Sequence, residues 1–423
     1  MRRFFRPITF VIALLLAADA PRCASATTVE SKEKDTIKVG LLLSLSGVAE
    51  PNGTALANGF HLAAEQNGNN IAGKRLEIIT ENDGSSPATA VGNVRKLLTE
   101  DKVDLVVGCD IGNVAAAAMK AANQAEAPLV SCATIDSPDP SKDPVEVFPW
   151  VAGVSPGVSS QTLPFGDWVY RKLHYKKIAI VAVDYTVGWK LSGYFQKSFE
   201  DAGGQIIQRV WVPLGVSDFT PFIKQIRSDA DAIFLAAVGG SAAILPKQLK
   251  QAYPQLPIIG FSGTFDESTL PSLGDYALGC ISSANECTTL DIPSNKKFVH
   301  DYVARYKTDP ATFSYRGYNA FLLLQKAAKK LHGDLSDRHK LIAELQSAAV
   351  DNAPCGPIRC DGRGNLTANV YVRKVEKVGG KLQNTVIFTF PAVEHYWKYK
   401  HSDFSKEFTR DYPPCKHCSN SPS

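Results

Sequence analysis

The feature that most limits the folds open to this chain is an alternation of short β-branched runs with amphipathic helical patterns, followed twice in the same order. In the first pass, Ile37–Leu43 reads as a buried strand. Gly53–Asn67 reads as a helix, with Leu56, Phe60 and Ala63/Ala64 on one face. Strands Arg75–Glu81, Asp104–Gly108 and Leu129–Ser131 follow, separated by helices Pro87–Glu100 and Asn113–Ala125. The second pass gives strands Ile178–Val183, Gln205–Val212, Asp231–Ala236 and Pro257–Gly260. Its helices are Trp189–Ala202, Phe219–Arg227 and Ala242–Gln251. The repeat extends to detail: Lys102–Val107 answers Asp229–Phe234, and Glu126–Val130 answers Gln255–Ile259. Strands joined through helices pair in parallel, and a parallel sheet needs helices over both faces. The expected fold class is therefore α/β, with two doubly wound parallel-sheet lobes joined near 154–158.

The remaining chain is mixed. Ser294–Tyr306, Tyr315–Leu331 and Leu335–Ala348 read as helices, 356–364 as turns, and Val370–Val375 and Val386–Phe390 as edge strands. Such late elements have to return to both lobes, which makes a multi-strand hinge. The expected division assigns 36–154 plus about 285–350 to the N-terminal lobe. It assigns 155–282 plus about 353–395 to the C-terminal lobe, and 396–423 to a polar tail on the surface.

The first twenty-six residues carry Arg2, Arg3 and Arg6, then the uncharged run Ile8–Ala18, then Ala24-Ser25-Ala26. Basic, apolar and small segments in that order read as a cleaved signal peptide, and the run is far short of the ~20 residues that span a bilayer. Removing this leader takes away Arg2, Arg3, Arg6, Arg22 and Asp19, so the formal charge falls from +4 to about +1. Nucleic acid is thus not an expected partner. Export to the periplasm is the expected localisation. An even set of cysteines then remains: Cys109, Cys132, Cys280, Cys287, Cys355, Cys360, Cys415 and Cys418. Such a set outside the cytoplasm suggests disulfides, with 109/132, 280/287, 355/360 and 415/418 as the expected pairs. Cys415-Lys-His-Cys418 offers at most three ligands where a structural zinc site wants four, so no metal and no cofactor are expected.

Ligands bind outside the carboxyl ends of strands in open parallel sheets. The segments to inspect are therefore 44–52, 109–113, 132–137, 184–188, 239–241 and 261–266, which are small, polar or glycine-rich. Gly108–Asn113 leads directly into a helix, whose free N–H groups suit a carboxylate. Ser46 in the first segment and Tyr185 in the fourth are candidate contacts, and Phe261 and Phe265 candidate apolar walls.

The order and spacing of several segments resemble the type I periplasmic binding proteins, specifically the leucine/isoleucine/valine-binding family of ABC importers. The resemblance is carried by 37–47, 58–68, 71–83, 184–188, Asp218-Phe219, 270–279 and 315–320, and covers roughly 36–395. It implies a two-lobed receptor, probed by closure on a small molecule and served by an inner-membrane ABC permease, working as a monomer. It implies that Gly112, Asn113, Thr134, Ile135 and Asp136 hold a ligand carboxylate from the first lobe. Second-lobe contacts fall on Val187, Ser241 and Ser262, and the rim aromatic of the family falls on Asn52. This chain departs from the amino-acid binders in three places. They carry an acid at the position of Ser262, for the ligand ammonium, and tyrosines near Val187 and Ser241. A hydroxyl cannot neutralise a buried ammonium. Asp136 is the candidate substitute, although it would also repel a carboxylate.

The ligand expected is a small apolar amino acid or an organic acid, with an aromatic carboxylate or an amide as the alternative. A periplasmic sensor subunit is the rival role. Enzyme signatures are missing: Gly260–Gly263 is followed by Thr264 where a nucleophile elbow needs glycine, and neither a phosphate loop nor His-Glu-x-x-His occurs.

Overall fold

The computed structural model describes Met1 and residues 35–135, 142, 144–404 and 406–418. The expected leader, Cys23 and Asp136 lie outside the described residues.

The first sheet follows the alternation read from sequence. It is built from β1 (Thr36–Leu43), α1 (Glu50–Gln66), β2 (Asn70–Ile71), β3 (Lys74–Asn82), α2 (Pro87–Thr99), β4 (Leu105–Gly108) and α3 (Gly112–Gln124). β5 (Leu129–Ser131), α4 (Pro144–Val147) and β6 (Val151–Gly153) complete it. The strand order is β2-β3-β1-β4-β5-β6, parallel except for the short β2. Val39 and Leu41–Leu43 are fully buried, as a strand covered on both faces requires.

The second sheet begins after α5 (Val158–Trp168), with β7 (Lys177–Val183), α6 (Thr186–Asp201), β8 (Gln205–Val212), α7 (Thr220–Ile223) and β9 (Ala232–Ala236). α8 (Gly240–Ala252), β10 (Ile258–Phe261), α9 (Leu270–Leu273) and β11 (Ile281–Ala284) follow. α7 is one turn long, not the nine residues expected from periodicity. The Gln208 side chain explains the stop: it donates to Gln225 O (2.6 Å) and accepts from Arg227 N (2.9 Å), so these groups leave the helical ladder.

The chain then returns. α10 (Pro293–Tyr306), α11 (Thr312–Lys330) and α12 (Arg338–Gln346) pack on the first sheet. β12 (Ala349–Val350), β13 (Ile358–Cys360), β14 (Leu366–Val378) and β15 (Lys381–Val393) extend the second sheet, whose order is β12-β13-β14-β11-β10-β9-β7-β8 with β15 on β14. β14 spans both lobes. Leu366 and Ala368 sit in the first-lobe core, while Val372 and Val375 sit in the second. The chain therefore crosses between lobes at 154–157, at 285–292 and along β14. Of the two strands expected at an edge, only β15 is one; β14 lies inside the sheet, paired on both sides.

Six of the eight expected disulfide cysteines are free and buried; only Cys415–Cys418 is bonded. The sheet explains the three corrected pairs. Cys109 packs on the face with Val106 and Cys132 on the opposite face with Val107, so neighbouring strand ends point their thiols apart. Cys280 and Cys287 flank β11 at opposite ends. Cys355 faces Asn319 on α11, while Cys360 at the end of β13 faces Gly153 on β6.

The tail also differs from expectation. Residues 394–418 are anchored by aromatic side chains: Phe404 and Phe408 are buried against Tyr194 and Leu163 on α6 and α5. Polar residues between these anchors hide the pattern from a composition-based reading.

The return helix α11 crosses α1 at a glycine pair. A Cβ on Gly59 would stand 1.9 Å from Ser314 O, and one on Gly317 would stand 2.1 Å from Leu56 O. Backbone contact of this kind admits no side chain. Gly317→Ala should lower unfolding free energy by about 1–3 kcal/mol, the usual cost of overpacking. Gly92→Ala, in open space on α2, should raise it by roughly 0.5–1 kcal/mol through helix propensity. Urea denaturation of the two variants checks both signs.

Candidate functional site

Every parallel strand of both sheets ends in a loop on the same side as its own helix N-terminus, so those loops form the two lips to examine. On the first lip, Ser46 is exposed and held by Asn82, whose Nδ2 donates to Ser46 Oγ (2.9 Å). Asn52 is half-buried in the first turn of α1. Gly112 and Asn113 are exposed at the start of α3, where the N-cap Ile111 offers no side-chain acceptor. The first N–H groups of α3 therefore face the open end of the helix, a favourable place for an anion. Thr134 is half-buried with its hydroxyl 3.4 Å from Ser155 in the first crossing segment. Ile135 is 1% exposed and belongs to the core beneath α3, so it supports the loop and presents no wall.

On the second lip, Tyr185 is half-buried at the start of α6, and burial pushes its phenol up to about 12, which keeps the O–H a donor at neutral pH. Val187 packs partly on the core below. Ser241 closes its own turn, donating to Val238 O (2.7 Å) and accepting from Val238 N (3.1 Å). Ser262 is 3% exposed and donates to Gln161 Oε1 (3.3 Å). The Gln161 amide in turn donates to Asn285 Oδ1 (2.6 Å), and Asn285 Nδ2 donates to Asn369 O (2.8 Å). Ser262 is thus the first link of a chain that runs through Gln161 on α5 and ties a strand end to two crossing segments, at Asn285 and at Asn369 on β14. Phe265 is fully buried and Phe261 nearly so, which makes both core residues.

Sequence reasoning passed over Arg316. It stands on α11 within a segment that was read only for its spacing, and its guanidinium donates to Cys132 O (3.0 Å), two residues before Thr134. An arginine between the buried Tyr315 and Gly317 of a helix is the signal that was available. Facing it from the second lobe are Glu286 and Asp266. These acids converge on Thr312, whose N–H donates to Asp266 (3.0 Å) and whose hydroxyl, with one hydrogen to give, stands 2.8 Å from Asp266 and 2.7 Å from Glu286. Asp184 accepts from Trp189 Nε1 (2.9 Å) and pairs with Arg410 (3.2 Å). A cavity of about 420 Å³ lies elsewhere, lined by Glu267, Leu270, Asp275, Asp309, Lys377 and Lys381 among others, and does not include the strand-end loops.

A family model described as "Periplasmic binding protein" matches residues 36–381. The chain belongs to the periplasmic binding protein family. A Leu/Ile/Val-binding protein homolog 6 from Brucella suis biovar 1 is 26% identical over 368 residues, covering 84% of this chain and 92% of the relative. The ABC transporter substrate-binding protein from Sphaerobacter thermophilus superposes with a TM-score of 0.80 at 28% identity, covering 85% of this chain and 99% of that one. A solute-binding protein of an ABC transporter from Rhodopseudomonas palustris BisB5, solved in complex with 3,4-dihydroxy benzoic acid, gives 0.79 at 30% identity, covering 86% and 99%. This periplasmic binding protein is accordingly the substrate-binding component of an ABC transporter of the leucine-binding type.

Beneath the first lip lies a carboxylate pair. Asp110 is 3% exposed and accepts from Ser44 N (3.1 Å), while Ser44 Oγ donates to Asp83 Oδ1 (2.8 Å). Burial pushes the Asp110 carboxyl from 3.8 to about 6, partly offset by Ser44. Between these values the folded protein keeps a proton that the unfolded chain has released. Stability therefore falls as pH rises from about 4 to about 6 and is not recovered above. Asp110→Asn should remove that slope and stabilise the protein by about 2 kcal/mol at pH 7, allowing for partial solvation. Thermal melts of both proteins between pH 4 and pH 8 test it.

Proposed function

We propose that the cleft receives a small organic carboxylate without an ammonium group, an aromatic acid foremost. One observation carries this reading: the position that would hold an ammonium partner is Ser262, buried and bonded to Gln161, and the nearby carboxylates Asp184, Asp266 and Glu286 are bonded within the structure, to Trp189, Arg410 and Thr312. An ammonium placed there would be desolvated without compensation. A carboxylate has support on the first lip from the α3 N-terminus at Gly112-Asn113 and from the nearby Arg316 charge. Tyr185 offers a ring and a phenolic donor on the second lip. The 3,4-dihydroxy benzoic acid bound by the Rhodopseudomonas palustris relative belongs to this chemical class.

In this reading the N-terminal lobe is 36–154 plus about 285–350 and the C-terminal lobe 155–282 plus about 353–395, save that the stretch through Leu366 and Ala368 packs in the first-lobe core. The mature chain, freed of residues 1–26, works in the periplasm as a monomer and passes its ligand, chemically unchanged, to an inner-membrane permease. Closure turns about the three crossings, and the ligand stabilises the shut form by touching both lips.

Calorimetry with 3,4-dihydroxybenzoate, benzoate and leucine tests the assignment. The aromatic acids should bind, with leucine at least tenfold weaker. Tyr185→Ala should weaken the acids by about 10- to 100-fold, the worth of a buried ring. Tight binding of leucine with no response to the acids would overturn the proposal.

A further inference from the structure

The family match ends at residue 381, and the solved relatives are covered almost completely by 85–86% of this chain. Residues 394–418 nevertheless form an ordered strap on the second lobe. It starts at the first crossing, where a Cβ on Gly157 would meet the His395 ring at 2.8 Å. It then follows α6 toward that helix's N-terminus. Tyr399 donates to Asp201 (2.9 Å), Phe408 lies against the backbone at Gly193, and Glu407 pairs with Lys190 (3.0 Å). The Gly193 contact is close enough that a Cβ there would stand 2.5 Å from the Phe408 ring.

The strap turns at 409–412, closed by Thr409 N donating to Tyr412 O (3.0 Å) and Tyr412 N donating to Thr409 Oγ1 (3.2 Å). At this tip Arg410 reaches Asp184, the residue before Tyr185 on the second lip. The return limb is fastened by Arg209, which donates to the carbonyls of Arg410 and Pro413, and by Gln196, which donates to Pro414 O (3.0 Å). The Cys415–Cys418 disulfide ends it. Asp184 thus has one oxygen on Trp189 within α6 and the other on Arg410 from the strap. The rim loop is held from its own helix and from a segment more than two hundred residues away in sequence.

We propose that the strap is a positioning element of the ligand cleft, in which Arg410 fixes the 184–185 rim through Asp184 and thereby sets where Tyr185 stands. The link to ligand affinity rests on the reading of Tyr185 as a ligand contact; the link to the rim does not. Arg410 reaches the lip at Asp184 and not at Tyr185, so its action on Tyr185 is indirect. The Arg410 side chain is half-exposed, which caps the strength of the pair and leaves the fold independent of it.

Amide hydrogen exchange on the ligand-free full chain tests the rim link. Arg410→Ala should speed exchange at 184–190 by about two- to fivefold, the worth of an exposed ion pair, and Arg410→Lys should restore most of the protection. Gly193→Leu, which lifts Phe408 and the turn together, should act at the same amides. Unchanged exchange at 184–190 in Arg410→Ala and Gly193→Leu overturns the proposal. The affinity of wild type and Arg410→Ala for 3,4-dihydroxybenzoate is measured alongside. A fall of similar size, rescued by lysine, supports control of the cleft; faster exchange with unchanged affinity overturns that control. A wild-type protein that binds none of the acids sinks the aromatic-acid reading instead, and exchange alone then decides the strap.

Discussion

A guanidinium with no access to water organises the junction of the two lobes. Arg373 on β14 is 0% exposed. A buried charge is tolerated only with partners close enough to replace its hydration. Here they are Glu267 (3.5 Å), the carbonyls of Glu286 (3.1 Å) and Phe265 (3.4 Å), and Ser282 Oγ (3.4 Å). Satisfying Arg373 therefore fixes the loop after β10 and the segment leaving β11. Those are the segments whose Asp266 and Glu286 receive Thr312 at the start of α11. One desolvated cation on the hinge strand thus sets the surface on which the first lobe's return helix docks.

The same logic gives the cleft its chemical bias. Acids near the lips are numerous, and several are drawn into structure: Asp266 and Glu286 toward Thr312, Asp184 toward Trp189 and Arg410, and one oxygen of Asp110 toward Ser44. Arg316 stands beside the Cys132–Thr134 loop, with Glu286 and Asp266 facing it. In the proposed reading, a site whose nearby acids are bonded within the structure and which has a cation near its base favours a carboxylate over a zwitterion. The 100-fold-and-more penalty for leaving an ammonium unpaired in such a place follows from desolvation of a few kcal/mol.

Much of the fold was legible because periodicity and order are local properties. Ile37–Leu43 and Ile178–Val183 announce buried strands by composition alone, and strand-end loops follow from parallel topology. What escaped depends on distant partners. Gln161 and Asn285 are unremarkable in sequence, and become hinge residues only because folding brings them 2.6 Å apart across 124 positions. Cysteine pairing failed for a related reason: short spacing along the chain says nothing about which sheet face a side chain takes, and Cys109 and Cys132 take opposite ones. Ser262 was singled out as a departure from the family pattern; its hydroxyl points to Gln161, a destination no local pattern specifies.

The hinge network and the strap reach the cleft from opposite ends of the second lobe. Ser262 connects one strand end, through Gln161, to two of the crossings, while Asp184 connects another to the C-terminal segment. Between them stand β9 and β7, whose buried residues include Phe234 stacked on Phe195 at 4.0 Å. A close-packed layer of this kind transmits displacement instead of absorbing it. A ligand that shifts Tyr185 or Ser262 therefore acts on both systems. Their stiffness has opposite consequences. Rigid anchoring at Asp184 lowers the ordering cost of the bound lip, since that loop is already placed before the ligand arrives. The Ser262–Gln161–Asn285–Asn369 relay instead ends on Asn285 and Asn369, on segments that cross between the lobes, so lobe rotation would change its geometry there. Preorganisation is concentrated at the rim, and adjustment at the hinge.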